Sequence, residues 1–156
     1  MPCMPGSYCA QGAAAALPCA EGSYSSSTSL ASAAECTPTS AGHYASTGST
    51  QQTPCSPGTV APHSGAGACD KCAAGTFQDK EEQTACMPCM PGSYCAQGAA
   101  AALPCAEGSY SSSTSLASAA ECTPTSAGHY ASTGSTQQTP LTLTLTLTLT
   151  LTLTLT

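Results

Sequence analysis

The sequence has no tryptophan, no arginine and no asparagine, and only one phenylalanine and one valine in 156 residues. Before the C-terminal run, leucine is limited to Leu17, Leu30, Leu103 and Leu116. Ordering a residue costs on the order of 1.5 kcal/mol, whereas apolar burial returns about 25 cal/mol per Å². So few bulky side chains cannot build one large hydrophobic core. The missing arginine leaves Lys71 and Lys80 as the only cationic side chains against a formal charge of -6. Two cations cannot neutralise a phosphate backbone, which excludes nucleic acid as a partner. Without asparagine there is no N-linked glycosylation site, while serine and threonine runs such as "SYSSSTSLAS" leave O-linked sugars available. A charged start followed by an apolar run of about 7 to 15 residues is also missing ahead of Cys3, so no secretory signal is read. The chain is therefore expected to be a fragment of a longer secreted protein.

What the sequence has in quantity is cysteine, twelve in all. An even number at this density in so core-poor a chain indicates a disulfide scaffold and an oxidising, extracellular or cell-surface compartment. Residues 1–54 recur without change as 87–140, a period of 86. Identity this complete indicates a very recent duplication or an artefact of gene assembly, which transcript sequencing across Pro140 and Leu141 distinguishes. The chain thus divides into cysteine-rich copy 1 (1–54), two further cysteine-rich modules (55–86), copy 2 (87–140) and a Leu-Thr tail (141–156).

Within the long period lies a shorter unit, C-x-x-G-[ST]-[YF], with head cysteines at Cys3, Cys19, Cys55, Cys72, Cys89 and Cys105. "CTPTSAGHY" after Cys36 fits the same register with Thr39 in place of the head cysteine, and Thr125 repeats it. Heads then fall at 3, 19, 39, 55, 72, 89, 105 and 125, in steps of 16 to 20. A tail cysteine stands three residues before a head at Cys36, Cys69, Cys86 and Cys122; Gln52 and Gln138 occupy that slot where the head is threonine. Paired loss of head and tail is what a bond between them predicts. The register therefore assigns Cys19 to Cys36, Cys55 to Cys69, Cys72 to Cys86 and Cys105 to Cys122. Cys3 with Cys9 and Cys89 with Cys95 use the remainder, although three connectivities stay open for the group Cys3, Cys9, Cys19 and Cys36. A closed loop of about 15 residues stabilises by about 3 kcal/mol in the chain-entropy model, enough to replace a core in each module.

These observations predict a small disulfide-rich repeat array of short β-hairpins and irregular loops, elongated and with little helix. "AAAAL" at Ala13 to Leu17 is its only helix signal, too short to persist. Contacts are expected between nearest neighbours, as in other repeat arrays. The bridge-poor stretches 37–54 and 123–140 are expected to be flexible links. Glycine three residues after each head is expected at a positive φ, and the aromatic that follows the [ST] position is expected to cover a disulfide.

The stretch "CSPGTV…CDKCAAGTF…CMPCMPGSYC", Cys55 to Cys95, resembles the ephrin-receptor-like cysteine-rich repeats, which are related in pattern to the single-disulfide modules of tumour-necrosis-factor receptors. Long arrays of this type are similar to those of large cell-surface proteins of algae and other protists. The resemblance implies a non-catalytic extracellular rod acting in adhesion or ligand binding, with a protein or glycan ligand and with any membrane attachment supplied by flanking regions. A structural spacer of a wall or matrix is the alternative. A zinc module is a further reading, because Cys69, Cys72, Cys86 and Cys89 spell C-x2-C-x13-C-x2-C; against it, such pairs arise wherever a tail meets a head. No catalytic, cofactor-binding or metal-ligating set is assigned. His43, His63 and His129 read as surface loop residues, and "DKEE" at Asp79 to Glu82 as a solvated turn. In the tail, strict alternation puts every leucine on one face of an aggregation-prone strand. That run falls short of the 18 or more apolar residues of a membrane helix.

Overall fold

The structure, a computed structural model, describes residues 3–142. The Leu-Thr run from residue 143 onward lies outside the described residues. Eight modules follow one another, at residues 3–18, 19–38, 39–54, 55–71, 72–88, 89–104, 105–124 and 125–140, here numbered 1 to 8. Each contains one antiparallel two-stranded sheet, from Ser7–Tyr8 with Leu17–Pro18 in module 1 to His129–Tyr130 with Thr139–Pro140 in module 8.

The hairpin is built by its turn. The carbonyl one residue after the head accepts the N–H three residues on, as in Ser23 N to Ala20 O at 3.0 Å and His43 N to Ser40 O at 3.1 Å. Glycine occupies the third position of the turn at φ of 81° in Gly22 and 82° in Gly42. Positive φ at that position after a residue such as Pro5, Glu21 or Pro57 is the signature of a type II turn. The [ST] side chain fastens the same turn: Ser93 Oγ donates to Met90 O at 2.6 Å and Thr76 Oγ1 to Ala73 O at 2.7 Å. The returning strand ends in proline in every module but the fourth, where Lys71 stands. Proline has no N–H to carry the ladder further, yet the Asp70–Lys71 strand is just as short, so proline is not required for the two-residue limit.

Among the described residues, helix is confined to single 3-10 turns at Ala33–Glu35 and Ala119–Glu121. The expected helix signal at residues 13–17 forms none; an isolated turn of this length has too few hydrogen bonds to offset its nucleation cost.

The interior is largely sulfur. Cys19, Cys55, Cys89, Cys95 and Cys105 are fully buried, whereas Leu30 and Leu116 are the only buried leucines among the described residues. Tyr8 of module 1 packs on Leu30 and the Cys19–Cys36 bridge of module 2, and Tyr94 does the same for Leu116 and Cys105–Cys122. In modules 1 and 6 the aromatic thus covers the disulfide of the following module, which ties packing to chain order there.

Candidate functional site

The structural unit that recurs along the chain is the joint between modules. At the joint of modules 2 and 3, Gly22 N donates to Ala45 O (2.8 Å), Ser25 N to Ser49 O (3.1 Å), Gly48 N to Cys19 O (2.8 Å) and Thr39 N to Gly22 O (2.9 Å). The joint of modules 5 and 6 repeats the set with Gly75 N to Cys95 O (2.8 Å), Gln78 N to Ala99 O (3.1 Å), Gly98 N to Cys72 O (2.8 Å) and Cys89 N to Gly75 O (3.0 Å). Every partner is a backbone group, so the joint tolerates changes of side chain and is repeated through the array.

Contacts also reach the second neighbour, contrary to the nearest-neighbour expectation. A Cβ built on Gly6 of module 1 would overlap the carbonyl of Gly48 in module 3. Gly22 faces Gly65 O, Gly42 faces Glu82 O, Gly58 faces Gly98 O, Gly75 faces Ser115 O and Gly92 faces Gly134 O in the same way. The carbonyl is aimed by a residue of positive φ, 81° at Gly65, 60° at Glu82 and 63° at Ser115. The turn glycine therefore serves twice: it supplies the backbone conformation and leaves room for the chain two modules on. The signal for this packing in the sequence is faint, because its acceptor position holds glycine in some modules and glutamate or serine in others.

All twelve cysteines lie in the described residues and none is free. The structure joins Cys3 to Cys9, Cys19 to Cys36, Cys55 to Cys69, Cys72 to Cys86, Cys89 to Cys95 and Cys105 to Cys122, with Cα separations of 5.7 to 6.1 Å. Cys69, Cys72, Cys86 and Cys89 are divided among three bridges, so the four do not converge as a thiolate set.

Modules 3 and 8 lack a bridge yet form the same hairpin, His43–Tyr44 with Thr53–Pro54 and His129–Tyr130 with Thr139–Pro140. Thr39 fills the head position with no exposed surface. Its Oγ1 accepts from Gly65 N at 3.1 Å. Across the module, the Gln52 side chain accepts from Ser40 N at 2.8 Å, as Gln138 does from Ser126 N at 2.8 Å. A glutamine carboxamide thus spans head and tail where modules 2, 4, 5 and 7 have a disulfide.

His63 is exposed, as expected for a loop residue. His43 is not in a loop: it lies in a strand, half-buried, with its Nε2 3.7 Å from Glu82 Oε1 of module 5. Asp79, Lys80, Glu81 and Glu82 are exposed, and Glu82 N donates to Cys55 O at 3.0 Å, which makes the turn a joint element as well. All acidic side chains lie at the surface, as do both lysines. Among the described residues no three His, Cys, Asp or Glu side chains are placed to hold a metal ion, and no helix is long and apolar enough to cross a membrane.

Two-residue hairpins, local bridges and a backbone-bonded joint define a disulfide-linked hairpin repeat. Residues 58–102, from the fourth module into the sixth, match the family described as tyrosine-protein kinase ephrin type A/B receptor-like. This segment is an ephrin-receptor-like cysteine-rich repeat. No curated protein matches the chain.

Proposed function

We propose that the chain is part of a non-catalytic extracellular or cell-surface rod that acts in adhesion or ligand binding toward a protein or glycan. One observation carries this reading: all twelve cysteines are closed into six bridges, each within a module, and the modules are then stacked by a repeated backbone joint. Such closure needs an oxidising compartment, leaves no thiol for nucleophilic or metal chemistry, and spends the buried interior on fixing the order of surface loops. Those loops carry the exposed carboxylates and hydroxyls that a protein or glycan would meet. The uniform joint equally supports a spacer that only sets distance.

Mass spectrometry of the protein secreted from eukaryotic cells, followed by a screen of immobilised glycans and cell-surface proteins, tests the proposal. Six intact disulfides and saturable binding that is lost on reduction are expected. Free thiols with bound zinc overturn it, and six disulfides without binding favour the spacer.

A further inference from the structure

The hydroxyls of modules 2 and 7 fall into two groups. Those of the turns are engaged, Ser23 Oγ donating to Ala20 O at 2.8 Å and Ser109 Oγ to Ala106 O at 2.7 Å. The loop after each of these strands carries the second group, Ser26, Ser27 and Thr28 in module 2 and Ser112, Ser113 and Thr114 in module 7, all of them exposed. Within the loops, Ser25 Oγ accepts from Ser27 N and Ser111 Oγ from Ser113 N, each at 3.1 Å, and the Ser27 and Ser29 hydroxyls lie 3.5 Å apart. The side chains of Ser26, Thr28, Ser112 and Thr114 are left without a hydrogen-bond partner among the described residues.

Both ends of each loop are pinned. Ser25 is buried and its N donates to Ser49 O of module 3 at 3.1 Å, while Leu30 is buried and its O accepts from Cys9 N of module 1 at 2.9 Å. Ser111 and Leu116 repeat this with Ser135 O at 3.1 Å and Cys95 N at 2.8 Å. Between the pinned ends the backbone is open, since the amides of Ser26, Thr28, Ser112 and Thr114 donate to no group among the described residues. Stacking does not cover the hydroxyls. Module 2 is described with modules 1, 3 and 4 around it, and module 7 with modules 5, 6 and 8. Between the two copies every neighbour up to two places away on either side is in position, and the three residues stay exposed in both.

We propose that Ser26, Ser27 and Thr28, with their copies Ser112, Ser113 and Thr114, are acceptor sites for O-linked sugars. The donor is an activated sugar, a nucleoside-diphosphate or polyprenyl-phosphate glycoside. The hydroxyl oxygen bonds to the anomeric carbon, the bond from that carbon to the phosphate oxygen breaks, and the hydroxyl proton passes to a base of the transferase; nothing is oxidised or reduced. A transferase needs a hydroxyl that the fold does not use and unpaired backbone beside it, and these loops present both. Phosphate is the competing modification of such hydroxyls, and it is stabilised where arginine or lysine can pair with it. The chain has no arginine, Lys71 and Lys80 lie in modules 4 and 5, and neither loop contains a charged residue. A sugar adds bulk there without adding charge to an already acidic chain. The site rests on the extracellular reading, because the secretory route that closes the disulfides is where the chain would meet such transferases.

Mass spectrometry of the full chain secreted from eukaryotic cells tests the site. The six disulfides are counted first, and the protein is then reduced and cut with trypsin. Because Lys71 and Lys80 are the only basic residues, fragments 1–71 and 81–156 carry one loop each. Electron-transfer fragmentation is expected to place hexose or N-acetylhexosamine on residues 26–28 and 112–114. The combined variant Ser26→Ala, Ser27→Ala and Thr28→Ala is expected to keep six disulfides and lose the sugar of its loop from fragment 1–71, while fragment 81–156 of the same molecule keeps its own. Six disulfides with no sugar on either loop overturn the proposal and leave the extracellular reading standing. So does sugar confined to other residues, or phosphate on these. Free thiols in the secreted chain overturn both.

Discussion

At the residue scale, the glycine of the turn shows how context sets the consequence of a single methyl group. Gly22 and Gly108 sit in identical local sequence, at φ of 81° and 80°. A Cβ on Gly22 overlaps the Gly65 carbonyl of module 4, whereas on Gly108 it meets nothing within 4 Å. A left-handed alanine costs roughly 1–2 kcal/mol, and forcing a methyl into a packed backbone contact adds about 1–3 kcal/mol. Gly108→Ala should therefore cost only the first and Gly22→Ala both, a difference read by urea unfolding of the two variants in parallel. Equal losses would remove the second-neighbour contact from the account. The conformational need for glycine was legible in its fixed place after each head. Its second use was not, because the facing carbonyl belongs to residues as different as Gly65, Glu82 and Ser115, and only their shared positive φ unites them. Nor did spacing show why serine or threonine follows the glycine; the hydroxyl bond back across the turn, as in Thr59 Oγ1 to Ser56 O at 2.7 Å, supplies the reason.

At the scale of the element, modules 3 and 8 show what a hairpin needs when its disulfide is missing. The alignment of Thr39 with the heads marked these modules as bridge-poor, and flexible links were expected there. What the sequence pattern left hidden is that Gln52 replaces the crosslink with a hydrogen bond to Ser40 N, because a glutamine in a polar loop carries no signature of its partner. The two fastenings are unequal. A hydrogen bond contributes about 1 kcal/mol net, while closing a loop of about 14 residues with a disulfide contributes about 3 kcal/mol by restricting the unfolded chain. The double substitution Thr39→Cys with Gln52→Cys should therefore form a seventh bridge and stabilise the array by about 2 kcal/mol. Thiol titration checks that the bridge closes, and thermal unfolding with and without reductant reads its effect. Two free thiols in an otherwise oxidised protein would show that the head and tail positions do not approach here as they do in bridged modules. The fold class itself was legible, since regular heads, turn glycines and a shortage of large apolar side chains allow little besides short bridged hairpins.

At the scale of the whole molecule, stability depends on position in the stack as much as on sequence, since each module is held by neighbours one and two places away on either side. Modules 3 and 8 separate the two contributions because residues 39–54 and 125–140 are the same sixteen-residue text in different surroundings. Module 3 has following neighbours: Gly42 N and Ala45 N are bonded into module 4, Thr39 is fully buried, and His43 lies 3.7 Å from Glu82 of module 5. In module 8 the amides of Gly128 and Ala131 have no partner among the described residues, while its joint to module 7 is intact through Gly134 N to Cys105 O at 2.9 Å. Local opening in such an array is governed by the contacts that must break at that place, so hydrogen exchange followed by NMR in dilute solution should find the Gly42 and Ala45 amides at least about tenfold better protected than those of Gly128 and Ala131. Amides directed toward the preceding module, Gly48 and Gly134, should differ far less. If all three pairs exchange alike, stability resides within each hairpin and the joints contribute little. If only the two outward pairs differ, the joint is the cooperative unit.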